Sequence, residues 1–404
     1  MRHLIIMLTL TAAGCSYLPD IPLLGEASPP PETTLADLQP VALELPQEEV
    51  PQRSLRELEA AYGEVLGATR DPALQLKVRR RLADLEMMAT ESEGLEQPTA
   101  ASYSTVIASY QTLLEDYPDV PGGDQLLYQM ARAHDLDGQG DAAVALMTQL
   151  SEQHPESEHL AEAEFRKAEA YFSAGRYALA AEAYQHVVTS ETGGDYYSNS
   201  LYMLGWSYFK QDDTDQAIAM FTSTLDFLMP TDNRLQGLAR GDREIAADCL
   251  RVLAVMFDSR GGSDAIAGTY AELGERGYQP LIYAALGELY LEQERFEDSA
   301  QTYAGFIAAN PESPLAHVFQ GKVIAVYQAA GFAQEVIAAK RDYVAAYSIS
   351  GAYWQSADER SQSTIGPLLA QYIDELARYH HALAQSEKGA EAQQQYLLAA
   401  DYYA

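Results

Sequence analysis

Between Ser198 and Pro230 the apolar positions fall on one helical stripe, pause, and resume on a second. Leu201, Leu204, Gly205 and Tyr208 stand at i, i+3, i+4 and i+7, the spacing of one helix face. Asp212, Asp213 and Asp215 interrupt the pattern, which predicts a turn closed by a helix N-cap. Ala217, Phe221, Leu225 and Leu228 then restart it, and Pro230 ends it. Gly205 and Ala217 are small where two antiparallel helices would cross. Leu204, Tyr208 and Phe221 are large enough to fill the space around that crossing.

Similar helical pairs recur along the chain. Residues 124–157 place Ala131, His134, Ala143, Met147 and Pro155 at the equivalent positions. Residues 161–194 place Ala168, Tyr171, Gly175, Tyr177, Ala180 and Tyr184 there, and 280–313 supply Leu286, Gly287, Tyr290, Ser299, Tyr303 and Pro311. Tyr110 and Pro118 mark a half-unit. Weaker pairs are expected over about 242–279, 314–350 and 365–404, with long loops near 231–241 and 348–364. Pro72 is expected to open a helix running to about Glu86.

This arrangement resembles the tetratricopeptide repeat, whose pattern is W-x₂-L-G-x₂-Y…A-x₃-F…P. Leu201 stands where that pattern has Trp, and Pro230 comes one residue late. The resemblance spans 101–404 and implies an all-α fold, a right-handed superhelical solenoid of helical hairpins. The recurring turns EDYPDVPGG, EQHPESEHL and AANPESPLA are similar in subtype to those of envelope lipoproteins of the BamD and CpoB kind. The final stretch, EAQQQYLLAADYYA, lacks the polar closing helix that solenoids need. The expectation is an array that continues further, or one whose Tyr396, Leu397, Tyr402 and Tyr403 rest on a partner.

The N-terminus carries a different signal. Arg2 and His3 precede a short apolar run, Leu4 to Leu10, too short to span a bilayer but suited to a secretory signal peptide. Ala12-Ala13-Gly14-Cys15 resembles the lipobox of bacterial lipoproteins, although Ala12 replaces the usual Leu. That resemblance implies residues 1–14 as signal peptide and Cys15 as the lipid-modified residue. The alternative is an ordinary secretory peptide cut near Ala13. By the sorting rule of such lipoproteins, Ser16 implies an outer-membrane anchor with the body facing the periplasm. Residues 15–52 carry eight prolines from Pro19 to Pro51, so they read as a disordered, extended tether. Stretched, it would reach on the order of 100 Å. Residues 53–100 form an N-terminal helical segment.

Charge narrows the partners. Against 59 acidic residues stand 26 basic ones, a net charge of -33. Phosphate backbones need clustered Lys and Arg, so nucleic acid is excluded as a partner class. The acidity either keeps a long array soluble or suits basic partner segments. Lys77, Arg79, Arg80 and Arg81 form the single basic cluster, read either as a solvated face paired with nearby carboxylates or as a contact for phospholipid headgroups or a partner.

Candidate chemistry is sparse. No H-E-x-x-H, Cys/His ligand set, G-x-S-x-G or Walker-type loop occurs, so no metal, cofactor or enzymatic activity is expected. His380 and His381 point about 100° apart on a helix, and the expectation is a surface pair. Cys249 is expected to sit in a buried helix position.

A binding surface remains. In tetratricopeptide arrays the first helix of each pair lines the concave face, and side chains rotated off the crossing stripe point into it. By that resemblance the groove residues are Tyr128, Arg132, Phe165, Glu169, Phe172, Asn199, Tyr202, Trp206 and Phe209, with Asp135 nearby. Aromatics ringed by charge suit recognition of a helix or an extended peptide from another envelope protein. They also suit peptidoglycan or polysaccharide, the alternative class of partner. Packing between repeats accounts for the same aromatics without any ligand.

Overall fold

A computed structural model describes residues 53–96, 102–118, 120–190, 192–230 and 235–403. The signal sequence, Cys15 and the proline-rich stretch lie outside them. Among the described residues the chain is all-α. Residues 55–404 form one packed unit, and the helices follow one another as antiparallel hairpins.

The chain opens with α1 (Leu55–Ala68), α2 (Pro72–Glu96) and α3 (Ser104–Asp116). Three regular hairpins follow: α4 (Gly123–Leu136) with α5 (Gly140–Gln153), α6 (Leu160–Ser173) with α7 (Tyr177–Ser190), and α8 (Tyr197–Phe209) with α9 (Thr214–Leu228). Next come α10 (Arg240–Asp258) and α11 (Ser263–Leu273), then α12 (Gln279–Glu292) with α13 (Phe296–Ala309), and α14 (Ala316–Ala330) with α15 (Ala333–Ala346). A short α16 (Ala352–Ser356) leads into α17 (Glu359–Ser386) and α18 (Ala390–Tyr403). The second helix of a hairpin also packs on the hairpin that follows, α7 on α8 and α13 on α14, so the core runs along the array. A continuous apolar cluster extends from Ala217 to Tyr372, preceded by three smaller ones.

The crossing stripes account for this packing. Leu204, Ala217, Phe221 and Leu225 are fully buried, and burial of a side chain the size of Phe221 contributes about 2–3 kcal/mol. Asp213 caps α9, its carboxylate accepting from the backbone N–H of Gln216 at 3.3 Å. The turns inside the hairpins share one conformation. Gly138, Gly175 and Asp212 take positive φ at equal steps along the chain, and Glu294 and Gly331 do the same in later hairpins. Glycine adopts that region freely, whereas aspartate and glutamate do so at a steric cost.

Several expectations are corrected. Helix α2 runs to Glu96 instead of stopping near Glu86, because Met87 is buried in the cluster that holds Val106 and Tyr110. The loop expected over 348–364 contains α16, and α17 starts at Glu359, where Asp358 caps it by accepting from the Ser361 N–H at 2.8 Å. His380 is not a surface residue. It faces α18 and is 3% exposed, stacked on Tyr402 and bonded through Nδ1 to Gln395 at 2.7 Å. His381, rotated from it on α17, is exposed. Cys249 is fully buried, in line with the helix reading.

Candidate functional site

The first helices of successive hairpins are joined by polar bridges. Arg132 of α4 pairs with Glu91 of α2 at 2.6 Å. The Tyr202 hydroxyl of α8 donates to Asp248 of α10 at 2.7 Å, and Lys322 of α14 pairs with Glu288 of α12 at 2.8 Å. Charge-assisted bonds of this kind fix the register between neighbours.

Glu162 of α6 is the hub of the regular region. Arg166 donates to it twice, at 2.8 and 2.7 Å, and the hydroxyls of Tyr128 and Tyr196 converge on it. Burial pushes the Glu162 carboxyl up, but these donors outweigh burial and hold it below its ordinary value. The opposite shift falls on Tyr128, raised by burial and by its bond to Glu162. One carboxylate thus ties α4, α6 and the entry to α8 together.

A second regularity sits behind the surface. In three hairpins the residue after the small crossing position lies over the large residue of the second helix. Glu169 follows Ala168 and accepts the hydroxyl of Tyr184. Glu288 follows Gly287 and accepts from Tyr303 at 3.4 Å. In the α8–α9 hairpin the large residue is Phe221, which has no hydroxyl to place. There the overlying residue is Trp206, its ring centroid 5.8 Å from that of Phe221 in edge contact.

The sequence-derived residues therefore divide into groups. Phe165 and Glu169 line an open cleft of about 830 Å³ between α4, α5 and α6, together with Asp135, Asp141, Arg176 and Tyr196. Phe165 also packs on Tyr196, centroids 5.1 Å apart. Tyr202, Trp206 and Phe209 make a separate aromatic cluster, with Trp206 in edge contact with both neighbours at 6.4 and 5.4 Å. The Lys210 ammonium lies 6.0 Å from the Trp206 ring. Burial and the Asp248 bond push the Tyr202 hydroxyl up to about 12. Asn199 is exposed at the start of this cluster. Tyr128 is buried, stacked on His159 at 4.5 Å. Phe172 is half-buried against Tyr177 at 5.2 Å. Arg132 lines a smaller cleft of about 210 Å³ between α2 and α4.

Sequence reading missed Arg176, Asp141 and Tyr196. They sit in turns and at helix starts, where helical periodicity carries no signal. The basic cluster on α2 is partly spent on structure, Arg79 pairing with Asp116 at 3.1 Å and Arg80 with Gln125. Among the described residues no group of His, Cys, Asp and Glu side chains could hold a metal ion, and no helix is long and apolar enough to cross a membrane.

Residues 125–157, 161–228 and 284–326 each match a family model described as tetratricopeptide repeat. No curated protein matches the chain. Among solved structures, MamA is 15% identical, covering 50% of this chain and 95% of its own at a TM-score of 0.32. A tetratricopeptide repeat protein from Parabacteroides merdae is 14% identical, with 72% and 99% coverage and a TM-score of 0.34. The Naa15/Naa10 assembly bound to HypK-THB gives 11% identity, 86% and 54% coverage, and a TM-score of 0.37.

Proposed function

We propose that this chain, an array of tetratricopeptide repeats, is a scaffold of the bacterial envelope that captures segments of other envelope proteins. In this reading Cys15 carries the lipid that anchors it to the outer membrane, residues 15–52 hold the array off the bilayer, and the body lies in the periplasm. The setting is an assembly machine or an energised complex of the Tol or Ton kind. Supporting the anchor is the sequence Ala12-Ala13-Gly14-Cys15 behind a short apolar run. Acyl chains suffice for such anchoring, each buried CH₂ contributing about 0.8 kcal/mol.

One observation carries the binding role: the cleft where Phe165 and Tyr196 are flanked by Asp135, Asp141 and Glu169. An apolar floor with a carboxylate rim suits an anchor side chain beside basic residues. Arg166 is occupied by Glu162, so the cationic side of the cleft is held by Arg176.

Affinity capture from solubilised membranes tests both halves. Cys15→Ala is expected to abolish palmitate labelling and release the protein from membranes. Phe165→Ala with Asp135→Lys is expected to lose the captured proteins while Cys15 stays labelled. Unchanged capture by the cleft variant would overturn the binding role. Specific capture of glycan, insensitive to competing peptide, would transfer the surface to the alternative class.

A further inference from the structure

Away from that cleft, between α5, α6 and α7, lies a second open cavity of about 430 Å³ built around Glu164. The Glu164 side chain is 3% exposed. Its Oε1 is satisfied by Lys167 Nζ at 2.6 Å and by the hydroxyl of Ser151. Its Oε2 is buried with no hydrogen-bond partner. His186 Nδ1 lies 3.5 Å from it, on an imidazole that is 68% exposed.

The rest of the lining is acceptor in character. Thr148 donates its hydroxyl to the Val144 carbonyl at 2.8 Å, Thr189 to that of Gln185 at 2.9 Å, and Ser190 to that of Val187 at 3.4 Å. Each hydroxyl has one hydrogen, spent on its own helix, so lone pairs are what remain for a ligand. Glu152 adds a carboxylate at the rim. Glu164 and Glu152 set two carboxylates against a single lysine, leaving one formal negative charge uncompensated beside the His186 imidazole.

We infer that this cavity binds a guanidinium group, which supplies hydrogens to Glu164 Oε2 and the hydroxyl lone pairs and restores neutrality. A planar donor fork matches that arrangement better than a compact ammonium does, because Lys167 already fills the site for a point charge. The orphaned Oε2 is the feature a structural ion pair does not explain, since buried carboxylate oxygens are as a rule bonded. The guanidinium is the end of a partner's arginine or a free small molecule, and the same chemistry serves both.

Calorimetric titration of the full chain with methylguanidinium, with neutral methylurea and with the peptide Gly-Arg-Gly tests the inference. Saturable binding of methylguanidinium, but not of methylurea, is expected. Tighter binding of the peptide would point to a partner's arginine, and equal binding to a small ligand. Glu164→Gln, which keeps the shape, should weaken binding roughly tenfold or more, and His186→Ala should strengthen it. Ser190→Arg, at an exposed helix end, places a guanidinium in the cavity and should abolish binding even if Glu164→Gln folds poorly. Glu335→Gln on α15 controls for the acidic surface and should change nothing. Equal binding of methylurea, or equal loss in Glu335→Gln, would overturn the assignment.

Discussion

A Cβ on Gly287 would lie 2.8 Å from the hydroxyl of Tyr303. The glycine of α12 and the tyrosine of α13 define how closely that hairpin closes, and Ser299 locks it by donating to the Gly287 carbonyl at 2.8 Å. The same crossing in the α8–α9 hairpin is looser, with a Cβ on Gly205 falling 3.0 Å from the Phe221 ring.

These distances predict different outcomes for one substitution. Gly287→Ala should destabilise by about 1–3 kcal/mol, the usual range for overpacking, because the overlap with the Tyr303 ring is too deep for a small shift to relieve. Gly205→Ala should be near neutral. There a shift of a few tenths of an ångström suffices, and alanine returns up to about 1 kcal/mol of helix propensity. Denaturant midpoints of both variants check the ordering.

The turns give a stabilising pair. Asp212 and Glu294 hold φ of 60° and 58°, where the equivalent residues Gly138, Gly175 and Gly331 are glycines. Asp212→Gly and Glu294→Gly should each stabilise by about 0.5–1 kcal/mol, strain relief exceeding the entropy cost of glycine. A rise in thermal midpoint of a few degrees at most is expected, and a fall would show that side-chain contacts in the turn outweigh strain.

Acid should loosen the array at two identified places. Burial raises Glu375, but Lys340 and Gln371 outweigh it and hold the carboxyl below its ordinary 4.5. Glu162 is held below the same value. A depressed carboxylate contributes stability that is present above the unfolded value and lost as pH falls through the folded one. Stability should therefore drop below about pH 4.5. Lys340→Met should flatten that part of the profile, and chemical denaturation at stepped pH reads the difference.

Cys249 should be silent. Its thiol is fully buried on α10, and burial pushes it well above the ordinary range. In a Cys15→Ala background the native protein should resist thiol reagents at pH 8 and react fully in denaturant. Rapid native labelling would show that α10 opens readily.

The hairpins were legible because one periodic stripe and one turn specify each of them. Leu204, Gly205 and Phe221 announce their crossing in sequence, as do Ala168 and Tyr184. The α10–α11 pair was legible as helices over about 242–279 but not in its repeat register, because α11 buries only Ile266 and Tyr270 and packs on α13 more than on α10. His380 was misjudged because its partner, Gln395, lies on the next helix and adjacency to His381 says nothing of it. The overlay of Glu169 on Tyr184 and of Glu288 on Tyr303 was legible in principle. Both pairs are 15 residues apart, and a buried tyrosine needs an acceptor. Ala174, Arg176 and Tyr196 join the cleft from turns between helices, which carry no periodic signal.

The central claim is that partners engage the surface between α4, α5 and α6. Photo-crosslinking residues placed at Asp141 and Arg176, both exposed in that cleft, test it directly in intact cells. Glu115 on α3 and Glu335 on α15 serve as exposed controls. Discrete crosslinked proteins from the two cleft positions and none from the controls are predicted. Crosslinks only from the controls, or the same pattern from all four positions, would contradict the account.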